Sequence, residues 1–138
     1  MNNLRRRLIT DTDYERLDSI LISPPMELRK SDILKEFSIE FLSADIRPQK
    51  DISSRVITMN TRVRLKEISS QKEVEVTITY PKDANSHERK ISVFSKVGLA
   101  LLGRKLGDTI TWPIPGGVGQ FEIIEITYQP EAVGDYDL

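Results

Sequence analysis

The hydrophobic period of the chain changes once, close to residue 54, and that change sets the fold class. Before it, apolar residues recur at three- and four-residue steps: Tyr14, Leu17, Ile20 and Leu21, then Ile33, Leu34, Phe37, Phe41 and Leu42. That spacing places side chains on one face of a helix. After it, Val63 and Leu65 alternate with Arg and Lys, Val74, Val76, Ile78 and Tyr80 with Glu and Thr, and Ile110, Trp112 and Ile114 with Thr and Pro. A period of two belongs to half-buried strands. Helices followed by strands predict an α+β chain.

Local signals place the boundaries. Thr10 to Asp13 offer N-cap side chains, Asp11 and Asp13 suit the positive end of a helix, and Ser23-Pro24-Pro25 cannot continue one. These signals predict a helix over Asp11 to Ile22. Ser31 or Asp32 can cap the second, and two short helices joined tightly predict an antiparallel hairpin. RPQKDISSR, after Ile46, is polar and aperiodic and reads as a linker. The division is therefore 1–54, a helical arm with its linker, and 55–138, a mainly β domain.

Within the β part, residues 81–90 read as a polar loop, and residues 121–128, FEIIEITY, are apolar on both faces and predict an interior strand. Val97 to Leu102 is a helix-compatible run, with Gly103 placed to stop it in the left-handed conformation. Leu99, Leu101 and Leu102 would then face the sheet. Gly107-Asp108 marks a turn and Thr109 the start of the next strand.

Composition removes several function classes. The 138 residues suit one compact domain with a modest appendage. Lys and Arg total 20 against 21 Asp and Glu, so no net field draws the chain to nucleic acid or an anionic membrane, and direct sequence-specific nucleic-acid binding is not expected. With no cysteine there is no disulfide, thiolate nucleophile or Cys-based zinc site. Leu4-Arg5-Arg6-Arg7-Leu8-Ile9 begins as a signal peptide would, but its apolar run stops at Thr10-Asp11. No run approaches the ~20 apolar residues of a membrane span. The expectation is a cytoplasmic protein, monomeric and without a membrane.

The chemical motifs resolve to structure. Gly116, Gly117 and Gly119 follow a proline and precede a strand, whereas a phosphate loop needs a strand before it and a helix after it. They predict a hairpin turn. His87 is the only histidine and lies in the polar loop, and no His/Asp/Glu spacing suits a metal. No catalytic residue, metal ligand or cofactor is expected. The acidic tail, YQPEAVGDYDL, carries Tyr128, Val133, Tyr136 and Leu138, which predict that it folds back.

Three stretches, VITMNTRVRL (56–65), SKVGLALLGRKLGDTITWPIPGG (95–117) and FEIIEITY (121–128), resemble the C-terminal domain of the GreA/GreB transcription elongation factors. The tail and the short arm resemble, more narrowly, the regulators of nucleoside diphosphate kinase within that family. The resemblance implies an FKBP-like antiparallel sheet with one short helix, preceded by a short helical hairpin. It further implies that the globular domain docks on RNA polymerase at the rim of the secondary channel, through the loop before the short helix. Here that loop is Phe94, Ser95, Lys96 and Val97, with Lys96 where the family commonly has proline.

Cleavage factors of the family present two acidic residues at the tip of a long coiled coil, where they help hold a metal. Here the first helix has about twelve residues, ~18 Å at 1.5 Å per residue. Its tip, Pro24, Pro25, Met26, Glu27 and Arg29, offers no adjacent acidic pair, and Arg29 and Lys30 stand between Glu27 and Asp32. The resemblance and the short arm together imply a non-enzymatic regulator that competes with Gre-type factors for the polymerase and affects nucleoside diphosphate kinase indirectly, through gene expression. The alternatives are a transcript-cleavage factor using Glu27 and an FKBP-like peptidyl-prolyl isomerase using Trp112 and Phe94.

Overall fold

A computed structural model describes residues 6–138. Leu4 and Arg5, at the start of the charged stretch weighed as a leader, lie outside the described residues.

The chain opens with strand β1 (Leu8–Thr10) and enters helix α1 (Asp11–Ile22) directly. Thr10 caps α1, its hydroxyl accepting the Asp13 N–H at 3.0 Å, and Pro24 follows the last turn. After a single 3₁₀ turn at Met26–Leu28 comes α2 (Ile33–Glu40). Asp32 precedes α2 without a side-chain cap, and it is the Ser31 hydroxyl that accepts the Ile33 N–H at 3.2 Å. Phe41, one residue past the helix, stacks on Phe37 at 4.4 Å. Strand β2 (Asp45–Arg47) then returns to pair in parallel with β1, Ile9 opposite Ile46.

The remaining strands are β3 (Arg62–Glu67), β4 (Glu73–Thr79), β5 (Lys90–Ser92), β6 (Thr109–Ile114) and β7 (Gly117–Tyr128), with α3 (Lys96–Leu101) between β5 and β6. They form a five-stranded sheet in the order β5-β4-β3-β7-β6. The resemblance implied a wholly antiparallel sheet, but β5 runs parallel to β4. The segment 81–90, read as loop, supplies the crossover through two 3₁₀ turns and so delivers β5 in the same direction as β4. The linker differs too, since Arg47 belongs to β2 and Gln49–Asp51 form a 3₁₀ turn whose Gln49 N–H donates to Asp11 at 3.1 Å.

Interior β7 and the β6–β7 hairpin follow the sequence reading. Ile114 pairs with Gly117 across Pro115-Gly116, and Gly116 takes the positive φ of +88° that proline cannot. α3 runs one residue earlier than the expected Val97–Leu102: it ends at Leu101, Leu102 already leaves the helix with ψ 128°, and Gly103 follows with φ +83°. A Cβ there would lie 2.9 Å from the Leu8 carbonyl, because β1 passes against this turn and Leu8 N–H donates to Gly103 O.

One apolar cluster runs through both halves of the chain. Leu17 of α1 and Ile33 and Phe37 of α2 join Val63, Leu65, Ile78, Leu101 and Ile123 in it. Burying side chains of this size stabilises by about 1.5–3 kcal/mol each, enough to hold the helices on the sheet. The tail also folds back, as its apolar residues suggested: Gln129 donates to Val56 O at 2.7 Å, Gln49 to Tyr136 O at 3.1 Å, and the Lys50 ammonium lies over the Tyr136 ring.

Candidate docking site

The loop Phe94 to Val97 is built by its serines. The Ser95 hydroxyl donates to Ser92 O at 2.6 Å and accepts the Gly98 N–H at 3.1 Å, so it caps α3 and ties the loop to β5. The cap fixes the start of α3 without proline. Phe94 points inward and meets Phe37 of α2 at 5.0 Å between ring centroids. Val97 and Ser95 are half-buried, and only Lys96 of the four is exposed. Its ammonium reaches both oxygens of Glu36, at 2.7 and 2.8 Å. Thus α2 lies against the loop, with an apolar contact beneath and an ion pair above.

The tip residues take a different place. Met26, Glu27 and Arg29 are exposed, Met26 at 79%. Arg29 Nε donates to Pro24 O at 3.1 Å and closes the turn. Pro25 borders an open cavity of about 620 Å³ with Tyr80 and Pro81 of the sheet domain. The tip and the loop line different cavities. His87 is exposed, and among the described residues no three His, Cys, Asp or Glu side chains are placed to hold a metal. No described helix is long and apolar enough to cross a membrane.

Two charged residues that sequence reasoning did not single out hold the helices to the sheet. Asp13, expected only to favour the helix start, is 4% exposed. It accepts the Met59 N–H at 3.1 Å and the Tyr80 hydroxyl at 3.2 Å. Burial pushes its carboxyl up to about 6, against the opposing effect of the Met59 hydrogen bond, and the Tyr80 phenol is pushed up by burial and by Asp13. A signal for this existed: Asp13 stands four residues before Leu17 and seven before Ile20, on the apolar face of α1.

Arg7 is 6% exposed. Its guanidinium donates to Leu99 O, to Leu102 O at 3.0 Å and to Glu40 at 3.3 Å, and lies over the Phe41 ring. Burial lowers it to about 10. It caps the last carbonyls of α3 and links them to α2. Nothing in Arg5-Arg6-Arg7 distinguishes this arginine from its neighbours.

The segment Phe94 to Val97, α3 and the sheet that carries them fall within one family match. Residues 52–128, more than half of the chain, match the family described as Transcription elongation factor, GreA/GreB, C-term. The chain belongs to the GreA/GreB family. Within it, the chain is 37% identical to the regulator of nucleoside diphosphate kinase of Escherichia coli (strain K12) over 131 residues, covering 94% of each. It is 34% identical to the transcription elongation factor GreA of Alkaliphilus oremlandii over 96 residues, which span 70% of this chain but 60% of that factor. A solved GreA/GreB structure from Nitrosomonas europaea superposes with a TM-score of 0.75 at 37% identity, covering 90% of this chain and 99% of that one. The family likeness to the shorter relatives therefore includes the helices, while the likeness to GreA leaves part of that factor unmatched.

Proposed function

We propose that this GreA/GreB-family chain is a non-enzymatic transcription regulator that binds RNA polymerase at the rim of the secondary channel and competes there with longer-armed Gre-type factors. In this reading the sheet with α3 is the family's FKBP-like docking domain, Phe94 to Val97 is its docking loop, and α1 with α2 is a shortened form of the family's hairpin. The observation that carries the proposal is the arm. α1 has 12 residues and α2 has 8, and both are pinned on the sheet by Asp13, Leu17 and Phe37 rather than extended away from it. A chain that keeps the docking domain but not the reach can occupy the rim without acting at the catalytic centre.

The tip supports the same conclusion. Glu27 and Asp32 are separated by Arg29 and Lys30, and two cations beside a carboxylate oppose metal binding. No observation favours isomerase chemistry either: Trp112 stacks on Phe121 at 4.0 Å and Phe94 packs on Phe37, so both aromatic faces serve the core. An effect on nucleoside diphosphate kinase, which the name of the E. coli relative suggests for that protein, would reach this chain's targets through transcription in the cytoplasm. The glycines that might have cradled a phosphate form the β6–β7 turn.

The test is competition on purified core polymerase. Excess chain should displace a labelled Gre factor and suppress its cleavage of backtracked transcripts, while producing no cleavage itself. Failure to displace the factor at any excess refutes the rim reading, and cleavage lost on Glu27→Ala would make the chain a cleavage factor.

A further inference from the structure

The tail is tied to the rest of the protein in two ways that differ in burial. Its first part is anchored inside. Gln129 is 3% exposed, and its side-chain nitrogen donates to Ser53 O at 2.8 Å and to Val56 O at 2.7 Å. Glu131 accepts the Thr58 hydroxyl at 2.7 Å. The Asp135 N–H then donates to Pro130 O at 2.8 Å, which closes a turn through Gly134 at φ +80°. Beyond this turn the polar ties run to α1 and to the 3₁₀ turn Gln49–Asp51, and of residues 136–138 only Tyr136 is not exposed.

Gln49 joins the tail to the helix. Tyr136 O can only accept, so the Gln49 side-chain nitrogen faces the tail, at 3.1 Å. That leaves the amide oxygen for α1, where it accepts the Thr12 hydroxyl at 3.3 Å. Arg16, one turn along α1 from Thr12, donates to Leu138 O, and the Lys50 ammonium lies 5.6 Å from the centre of the Tyr136 ring. Thr12 and Arg16 are four residues apart, so the tail follows one face of α1. Within α1 only Asp13 and Leu17 are fully buried, both in its first two turns, and Ile20 and Leu21 are half-buried. Beside this outer half lies the cavity of about 620 Å³, bordered by Ile20 and Pro25 from the arm, Asn60 and Tyr80 from the sheet domain, and Leu138 from the tail.

We infer that residues 136–138 form a latch, with Gln49 as its clasp, that holds the outer half of α1 in place beside this cavity. The clasp consists of polar contacts at the surface, for which water competes, whereas Gln129 and the Asp13–Met59 hydrogen bond are buried. The latch therefore opens while the anchor of the tail and the base of the helix stay closed, as a local opening rather than an unfolding. The cavity gives the released helix room that a packed interior would deny it. Closed, the arm and the sheet domain move as one body. Open, the helix beyond Leu17 and the tip turn on their base. The device acts on the position of the arm and does not depend on the chain's docking on polymerase.

Hydrogen exchange on the full chain, resolved by peptide, tests the latch. Gln49→Glu keeps an acceptor for the Thr12 hydroxyl and removes the donor to Tyr136 O, so it breaks the clasp on the tail side alone. Exchange at residues 18–22 should accelerate at least tenfold, with β3 and β7 unchanged. Thr12→Val breaks the clasp on the helix side and should give the same pattern. The chain has no cysteine, so nitroxides attached at Ile22→Cys and Thr111→Cys, both exposed or nearly so in the strand and helix that carry them, report the distance from arm to sheet. The width of that distance distribution should at least double in Gln49→Glu. Unchanged exchange at residues 18–22 in either variant, acceleration spread equally over β3 and β7, or a distribution as narrow as that of the parent would overturn the inference.

Discussion

Asp13 and Met59 are joined across 46 residues of sequence by a 3.1 Å hydrogen bond from the Met59 N–H to Asp13 Oδ2, inside the core. It fastens α1 to the segment that leads into the sheet. Because burial holds the Asp13 carboxyl at about 6, above its ordinary value near 3.8, the folded chain binds the proton more tightly than the unfolded chain. The contribution of this group is fully present below about pH 4 and is lost as pH rises through about 6. A shift of two units corresponds to about 3 kcal/mol. Urea unfolding at pH 4 and pH 7 should show the wild type losing about that much relative to Asp13→Asn. A difference between the two proteins that stays constant over this range would contradict the assignment.

The interface between α2 and the segment 94–97 separates charge from packing. The Lys96–Glu36 pair is exposed, 56% and 39% for the two side chains, and Glu36→Gln should alter stability by less than about 1 kcal/mol. Phe37 is 2% exposed between Phe41 and Phe94, and Phe37→Ala should cost about 3–4 kcal/mol. Denaturant midpoints of the two variants check both numbers together.

Gly98 lies within α3, where alanine normally helps by about 1 kcal/mol. Here a Cβ would meet the Ser92 carbonyl and come within 2.8 Å of Val93 Cα, both of them backbone. Overpacking against an immobile backbone costs up to about 3 kcal/mol and outweighs the propensity gain. Gly98→Ala should therefore lower the thermal midpoint, and a rise would show that β5 can move away from α3.

Lys96 occupies the first position of α3, where an N–H is dispensable, and Ser95 before it is extended at φ −123° and ψ 166°, a conformation compatible with a following proline. Lys96→Pro should therefore fold with stability within about 1 kcal/mol of the wild type. Under the proposed function it should also displace a Gre factor at lower concentration, since it restores the family's residue and releases the loop from Glu36. Unchanged displacement would place the polymerase contact elsewhere.

The elements legible in the sequence are those made by near neighbours. Thr10 and Pro24 bracket α1, Gly103 turns the chain just after α3 and Pro115-Gly116 turn β6 into β7, each through chemistry confined to a few residues. β1, β2 and β5 were not legible because three residues carry no measurable period and each is fixed by a partner far along the chain. The same holds for the candidate site. The segment 94–97 could be located by its likeness to the family, but not the packing of Phe94 under α2, which depends on Phe37, nor the burial of Arg7, whose carbonyl partners lie more than 90 residues away.

The parallel pairing of Leu8–Thr10 with Asp45–Arg47 lays the strand that leads into the helices alongside the strand that follows them, one strand spacing apart, roughly 4.8 Å. Residues 11–44 are thereby a closed excursion from a stapled base. Under the proposed function, the helical segment between the two strands could change in length without altering where the chain leaves this base or rejoins it. Arm length becomes an interchangeable cassette, and grafting a longer helical pair between Thr10 and Asp45 would change how far the protein reaches while leaving what it stands on untouched.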